Sequence, residues 1–293
     1  MASEAEEPLS KEEKMRIASD FILHSPPGEH NEVFNDVRVL INDDLILKEI
    51  AIGPFFQYDK DQLTPVKVEG SNFKGLITHY NDLGSARFYD PRSQQSFKYD
   101  FLRKETSDFR PMDPPNKPAE PWRRALEEAY TLYAQDRYKN GTCSVFSGPA
   151  SEDGKISLIA CTEDHQFQSS NYWNGRWRSI WTISFLPDST TADVEGLIKV
   201  RIHYYEDGNI QLVSSKDVKE SISISTEQKT ANDLITIVEE AETEYQTALS
   251  ENYQIMSNTT LKALRRKLPV TRTKLDWGKI LTLKKLGTEL KHH

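Results

Sequence analysis

Residues 197–214 read LIKVRIHYYEDGNIQLVS, in which two β-prone segments flank the turn Glu206-Asp207-Gly208. Gly tolerates the positive φ that a tight hairpin turn requires, so this stretch predicts a β-hairpin. Three further β-prone segments precede the hairpin and follow the Asn140-Gly141 turn. The five predicted strands span residues 142–147, 156–162, 176–185, 197–205 and 209–214. Five strands with short connections in about 75 residues predict an antiparallel meander.

A long helix is predicted after the sheet, because residues 226–257 contain neither Gly nor Pro. As a helix this segment would be about 45 Å long. Its stripe of mostly apolar residues steps by three and four and comprises Leu234, Val238, Ala241, Tyr245, Ala248, Asn252 and Ile255. Five strands about 4.8 Å apart are too narrow to support the whole helix. Either the helix covers the chain's own sheet and overhangs it, or a partner completes a larger sheet.

The N-terminal part of the chain predicts three short helices followed by a small β unit. Ser10 and Glu13 have the spacing of a capping box, and Pro26-Pro27-Gly28 ends the first helix. The second predicted helix ends near Asn42, and the third spans residues 45–52. The short β segments that follow are residues 65–69, 75–79, 86–89 and 96–99.

These segments together predict an α+β fold. Prolines concentrated between residues 111 and 121 indicate a linker, and residues 122–138 predict a further helix. The predicted divisions are a helical stalk over 1–58, a small β unit over 59–110, a linker and helix over 111–140, an antiparallel sheet over 141–222, a long helix over 223–258 and a basic tail over 259–293.

The composition indicates a globular, cytosolic protein without an active site. The chain has 293 residues, of which 37% are hydrophobic, and it lacks an apolar run of the roughly 18 residues that a membrane helix needs. Its acidic start argues against a secretory signal, and its two cysteines, Cys143 and Cys161, suit a reducing compartment. Because the sequence has no metal-ligand spacing, nucleotide-binding loop or catalytic motif, neither a cofactor nor an enzyme activity is predicted.

Charge is strongly polarised along the chain. Residues 259–293 contain ten basic and two acidic side chains, a net charge of +8, whereas the rest of the chain carries −16. A basic tail on an acidic body implies an acidic partner, which could be nucleic acid, anionic lipid or an acidic protein surface. The alternative is a tail that is merely solvated.

An aromatic cluster lies in the third predicted strand, where residues 172–181 read YWNGRWRSIW. Trp177 and Trp181 alternate with Arg176 and Arg178, which predicts a strand with one aromatic face and one largely polar face. Packing in the core or at a subunit interface is the favoured interpretation. Base stacking is the alternative, and together with the basic tail it would make the chain a nucleic-acid-binding protein.

Two segments resemble the signatures of a known family. Residues 202–210, IHYYEDGNI, and residues 261–272, LKALRRKLPVTR, are similar to the two signature segments of the F-actin capping protein α-subunit family. The similarity extends over nearly the whole chain and includes residues 31–38, NEVFNDVR. Departures are confined to single replacements at Ile202, Ile210 and Leu261, to the acidic start and to the proline-rich linker.

This resemblance implies the α subunit of an obligate heterodimer that caps the barbed end of actin filaments in a calcium-independent manner. In the family, the five-stranded sheet joins five strands of the β subunit, and a long helix crosses the composite sheet. The resemblance also implies a cytoplasmic location at the actin cytoskeleton, no cofactor and no nucleic-acid partner. Phosphoinositides and ankyrin-repeat or other capping-protein regulators are the further expected partners.

Site residues are assigned partly by the resemblance and partly by residue chemistry. The resemblance places both actin binding and phosphoinositide binding on Lys262, Arg266 and Arg272. The other expected actin contacts are the cations Arg265 and Lys274 and the apolar stripe Trp277, Ile280 and Leu281. That stripe predicts a short amphipathic helix that enters an apolar groove on actin, or else docks on the protein's own sheet. The expected subunit interface comprises Trp177, Trp181, His203, Tyr204 and Tyr205.

Overall fold

The computed structural model describes residues 10–150, 153–205 and 210–258. The chain divides into two compact units, Met1–Glu239 and Glu240–His293. The described part of the second unit, residues 240–258, is helical. Within the described ranges, no helix is long and apolar enough to cross a membrane.

The chain begins with three helices, which we call the stalk: α1 (Lys11–Leu23), α2 (His30–Ile41) and α3 (Asp44–Asp61). The predicted capping box is confirmed, because the Glu13 N–H donates to Ser10 Oγ at 3.2 Å and the Ser10 N–H donates to Glu13 Oε2 at 3.0 Å. Asn42 ends α2 in the left-handed conformation. The buried residues that join the three helices are Ala18, Ile22, Val37, Leu47 and Phe55.

The predicted end of the third helix near residue 52 is wrong. Helix α3 continues through Pro54 to Asp61. A proline inside a helix removes a hydrogen bond and disfavours the preceding turn. Beyond it, however, Phe55 and Tyr58 are buried against His30, whose ring stacks on Tyr58 at 4.0 Å. The burial of these aromatic rings compensates for the interruption.

The small β unit consists of a hairpin and a three-stranded sheet. The hairpin pairs β1 (Thr64–Lys67) with β2 (Lys74–Ile77), and the sheet has the order β3 (Arg87–Asp90), β4 (Gln95–Asp100) and β5 (Glu105–Pro111). Strand β5 was not predicted, since its residues ETSDFRP do not alternate between apolar and polar. The residue at which the linker was expected to begin, Pro111, is the last residue of this strand.

Five antiparallel strands form the main sheet, which confirms the predicted meander. They are β6 (Thr142–Ser147), β7 (Ile156–Gln168), β8 (Trp173–Phe185), β9 (Thr191–Tyr204) and β10 (Ile210–Ser223), in the spatial order β10-β9-β8-β7-β6. The last four strands extend beyond their predicted bounds, most of all β10, whose added residues are largely polar and exposed. The turn residues 206–209 of the predicted hairpin lie outside the described residues, but Tyr204 pairs with Ile210 on either side of them.

The two faces of this sheet carry different layers. Helix α4 (Glu120–Arg137) covers one face, where Tyr130 Oη lies 3.5 Å from Ser179 Oγ and the Trp122 ring contacts Phe185. The opposite face packs on the small β unit. The buried cluster at this contact comprises Leu63, Leu76, Phe146, Ile159 and Cys161, and Ile180 packs against it. The strand predicted to have one aromatic and one polar face is thus β8, and both of its faces are covered.

Helix α5 (Glu227–Asn258) is the predicted long helix. Leu234 and Val238 are fully buried, and Tyr245 is 7% exposed. Farther along the same stripe Ala248 and Asn252 are exposed, and Ile255 retains 59% of its accessible surface. Burial of the stripe therefore stops about halfway along the helix.

Candidate partner interface

The two edge strands of the main sheet differ sharply in burial. Five of the six residues of β6 are buried, and Leu76 of β2 shares a cluster with Phe146 of β6. In β10, only Ile222 of the fourteen residues is buried. Within the described part of the chain, β10 pairs with β9 alone. Strand β10 is therefore an open edge, with a row of main-chain groups available to another strand.

An exposed apolar patch lies at the end of the β9–β10 hairpin. Ile202 and Tyr204 each expose 37% of their surface, and Ile210 exposes 54%. The register pairs Ile210 with Tyr204, so the three side chains share one face of the sheet, the face that also carries Trp177 and Trp181. Sequence reasoning selected Tyr204 but missed the two isoleucines, although their alternation with Tyr204 was the signal that could have identified them.

Trp177 and Trp181, which the sequence assigned to the subunit interface, pack within the chain. Trp181 is fully buried, and its ring covers Gly196 on the neighbouring strand so closely that a methyl group there would lie 2.3 Å from the ring. The Trp177 ring lies 6.3 Å from that of Tyr138 at the end of α4. Both tryptophans thus lie beneath the helical layer that covers this face of the sheet. The accessible residues of the predicted subunit interface lie elsewhere.

The remaining three residues of that set lie at the hairpin end. His203 is 5% exposed and stacks on Tyr205, with ring centroids 4.9 Å apart. The Tyr205 N–H donates to the Tyr172 carbonyl at 2.9 Å, which ties β9 to the start of β8. Tyr204 is thus the most accessible member of the set, and it belongs to the apolar patch.

Arginines on the other face of the sheet hold the stalk in place. Arg178 Nη1 donates to the carbonyl of Asp61, the last residue of α3, and Arg201 Nη2 donates at 3.1 Å to the carbonyl of His24, which caps α1. Carbonyls at helix C-termini lack intrahelical partners and carry partial negative charge, so they are good acceptors for guanidinium groups. Burial, with Arg176 and Arg201 nearby, lowers the pKa of Arg178 to about 10, so Arg178 remains charged at neutral pH.

A tight turn completes the junction between stalk and sheet. Gly28 adopts φ +81°, and an added Cβ would lie 2.6 Å from Asn174 Nδ2. The same Asn174 nitrogen donates to Glu29 Oε1 at 2.8 Å. Glycine meets both the backbone and the space requirement at this position, so the turn between α1 and α2 can pack directly against Asn174.

The stalk itself has an uncovered apolar groove between α1 and α2, which we call the stalk groove. Phe21 exposes 53% of its surface and Leu40 exposes 76%. The groove has a volume of about 170 Å³ and is lined by Lys14, Ile17, Ala18, Phe21, Val37, Leu40 and Ile41. An amphipathic helix that exposes such large apolar side chains is typical of an interface.

The predicted actin-binding and phosphoinositide-binding residues lie outside the described residues. They are Lys262, Arg265, Arg266, Arg272, Lys274, Trp277, Ile280 and Leu281. The described residues therefore contain the candidate partner interface, and the assignment of the tail remains a prediction.

Comparison with known proteins identifies the family. A family model described as "F-actin capping protein alpha subunit" matches residues 18–289. The chain is 47% identical over 286 residues to the F-actin-capping protein subunit alpha of Caenorhabditis elegans, a match that covers 97% of this chain and 99% of that protein. It is 36% identical over 275 residues to the human F-actin-capping protein subunit alpha-3, covering 94% of this chain and 90% of the relative.

A solved structure supports the fold. The homodimeric actin capping protein alpha subunit from Plasmodium berghei superposes with a TM-score of 0.71 at 18% identity, covering 82% of this chain and 92% of that one. The family match and the near full-length similarity to the relatives lead to one conclusion. The chain belongs to the F-actin capping protein α-subunit family.

Proposed function

We propose that this chain is the α subunit of a heterodimer that caps the barbed end of actin filaments and blocks both addition and loss of subunits. The observation that carries the proposal is the family match over residues 18–289, which includes the basic segment 261–272. The relatives that support it are named F-actin-capping protein subunits in animals and in Dictyostelium discoideum. The nucleic-acid-binding alternative finds no support in these comparisons.

The open edge of the sheet supports a β-subunit partner. A strand added to β10 would satisfy its outward main-chain groups, and the apolar patch of Ile202, Tyr204 and Ile210 would supply side-chain contacts. A ten-stranded sheet is about 43 Å wide. The 32 residues of α5 span about 48 Å, close to that width. The exposed half of the α5 stripe would then have a surface to cover.

The stalk groove gives a second reason to expect a partner. Phe21 and Leu40 would be covered if helices of the β subunit packed alongside α1 and α2. The open β10 edge and the stalk groove together favour an obligate assembly, because obligate interfaces are larger and more apolar than transient ones.

The basic tail would provide the contact with actin. Lys262, Arg266 and Arg272 would bind acidic groups on the filament end through charge-assisted hydrogen bonds, and the tail's net charge of +8 would steer the encounter. Trp277 and the neighbouring Ile280 and Leu281 would enter an apolar groove on the terminal subunit. Phosphoinositides and acidic regulators such as ankyrin-repeat proteins would compete for the same cations. This activity places the protein at the actin cytoskeleton in the cytoplasm.

The test is elongation of pyrene-labelled actin from barbed-end seeds in the presence of the co-expressed complex at nanomolar concentration. We expect the K262E/R266E/R272E variant to lose capping while it still co-purifies with the β-type partner. The matched control is K279E/K284E/K285E, which makes the same charge change elsewhere in the tail; it should slow the encounter with the filament end to a similar extent but keep most of the capping affinity. Equal loss in both variants would show that only net charge matters, and failure to assemble would show that the three positions are structural.

A further inference from the structure

A cationic cleft lies beside β6, at the edge of the sheet opposite β10. It has a volume of about 300 Å³, at the lower end of the range for ligand sites. The start of β2, the β3–β4 turn, the end of α4 and the start of β6 converge on it. The residues that line this β6 cleft are Asn72, Phe73, Lys74, Arg92, Thr131, Ala134, Gln135, Lys139, Asn140, Gly141, Thr142 and Cys143. Three of them are cationic and none is acidic.

Arg92 is held in place within the cleft. Its Nε donates to Glu127 Oε1 at 3.2 Å, and its Nη2 donates to the Cys143 carbonyl at 3.1 Å. Its guanidinium lies 4.6 Å from the centre of the Phe73 ring. Among the residues that the structure describes, no acceptor pairs with Nη1 of Arg92. The side chain is thus preorganised, with one donor group available to a ligand.

Two lysines flank this arginine. Lys74 and Lys139 are exposed and form neither an ion pair nor a side-chain hydrogen bond with any described residue. Amide and hydroxyl donors on Asn72, Gln135 and Thr142 lie on the same walls. Glu127 offsets the charge of Arg92, and the C-terminus of α4 contributes about half of a negative charge. Asp164 also lies close by, since it accepts a hydrogen bond from the main-chain N–H of the lining residue Asn140. The excess positive charge of the cleft therefore comes from the two lysines, although the body of the protein is strongly acidic.

We propose that the β6 cleft is a binding site for a phosphate ester. A phosphomonoester carries a charge of about −1.5 to −2 and three acceptor oxygens at neutral pH. A fixed guanidinium with two mobile ammonium groups suits such a tetrahedral anion, because the planar donor orients it and the lysines neutralise it. The ester could belong to a free small molecule or to a phosphorylated side chain of a partner protein. Either source could bind while β10 is occupied, since the two edges are separated by the width of the sheet.

The experiment uses the full-length chain in complex with its β-type partner. Calorimetric titration with inorganic phosphate, and with a glycine-flanked phosphoserine peptide, is compared with the unphosphorylated peptide at equal ionic strength. Because the basic tail is also expected to bind phosphorylated ligands, the titrations are repeated with the K262E/R266E/R272E complex, which removes that site. There we expect saturable binding with one site per complex for a phosphorylated ligand and none for the unphosphorylated peptide. Tighter binding of the phosphopeptide would identify a protein partner as the source, and equal binding would identify a small phosphate.

Paired variants make the result specific. K74Q/K139Q should weaken binding at least about tenfold, because each lost hydrogen bond to a charged group costs that much or more. The matched control K155Q/K229Q removes the same charge at two other exposed lysines and should bind normally. The thermal midpoint of each variant checks its folding, and capping should be unchanged in both. Absence of saturable phosphate binding, or equal weakening in the two variant pairs, would overturn the proposal.

Discussion

Replacement of Gly196 by Ala tests the contact between Trp181 and the neighbouring strand. A Cβ at this position would lie 2.3, 2.6 and 2.8 Å from three carbons of the Trp181 ring. Carbon atoms in contact are separated by about 3.5–4.0 Å. The ring is fully buried, so it cannot move away from the added methyl group without disturbing its neighbours.

The expected cost follows from this geometry. Overpacking a filled core typically destabilises a protein by about 1–3 kcal/mol. For domains of this size class each kcal/mol lowers the thermal midpoint by about 2–4 °C. We therefore expect the G196A complex to unfold several degrees below the wild type, measured by thermal denaturation at one fixed protein concentration, because subunit assembly makes the midpoint concentration-dependent.

Two further variants show whether the clash is the cause. G175A makes the same chemical change in β8, where the nearest atom, in the Trp173 ring, would be 3.5 Å away, an ordinary contact. It should leave the midpoint unchanged or raise it slightly. The W181F/G196A double variant should be less destabilised than the sum of the two single variants, because the smaller phenylalanine ring leaves room for the added methyl group. A G196A midpoint equal to that of the wild type, or strictly additive effects in the double variant, would refute the reasoning.

The other predictions concern assembly and pH. V213K, on the open β10 edge, should weaken assembly with the β-type partner about tenfold or more, because an unpaired charge in an interface costs more than 1.4 kcal/mol. The control is L132K on α4, since Leu132 and Val213 each expose 65% of their surface. L132K should assemble normally in analytical ultracentrifugation. Equal effects of both changes would argue against the edge. Burial raises the pKa of Asp59 above its ordinary 3.8, although Tyr99 Oη and Thr64 Oγ1 both donate to it. The folded state therefore binds the Asp59 proton more tightly than the unfolded chain, so the wild type should lose stability relative to D59N as pH rises from 3.8 through the raised pKa. Urea midpoints over the acidic range test this, and a difference that does not change with pH would contradict it.

The sequence predicts elements well where turn signals and apolar alternation coincide. Strand β6 has the predicted bounds because the Asn140-Gly141 turn precedes a short β-prone run. Strand β5 and the last nine residues of β10 could not be predicted in this way, since both segments are largely polar and exposed. Their strand conformation depends on pairing with a neighbour, which composition does not encode. The extension of α3 beyond Pro54 likewise depends on tertiary burial of Phe55 and Tyr58.

Contacts between distant segments account for what sequence reasoning missed at the stalk junction. The sequence predicts Arg178 on the largely polar face of a strand and indicates no role for Arg201. Arg178 donates to a carbonyl 117 residues away in the sequence, and Arg201 donates to one 177 residues away. The acceptors are main-chain atoms at helix ends, so no side-chain pattern reveals them. The β6 cleft is a similar case, because Lys74, Arg92 and Lys139 belong to three separate elements.

The proposal of a partner strand is supported by the sequence and by the structure along separate routes. The sequence indicates a helix too long for a five-stranded sheet, but it does not indicate which edge of the sheet would be extended. The structure distinguishes the edges by burial: β6 is covered on both faces, whereas β10 and the patch of Ile202, Tyr204 and Ile210 are exposed. A partner sheet joined at β10 would cover the open edge and widen the sheet to the length of α5. One assembly step would thus account for both the open β10 edge and the exposed half of the α5 stripe in the described part of the chain.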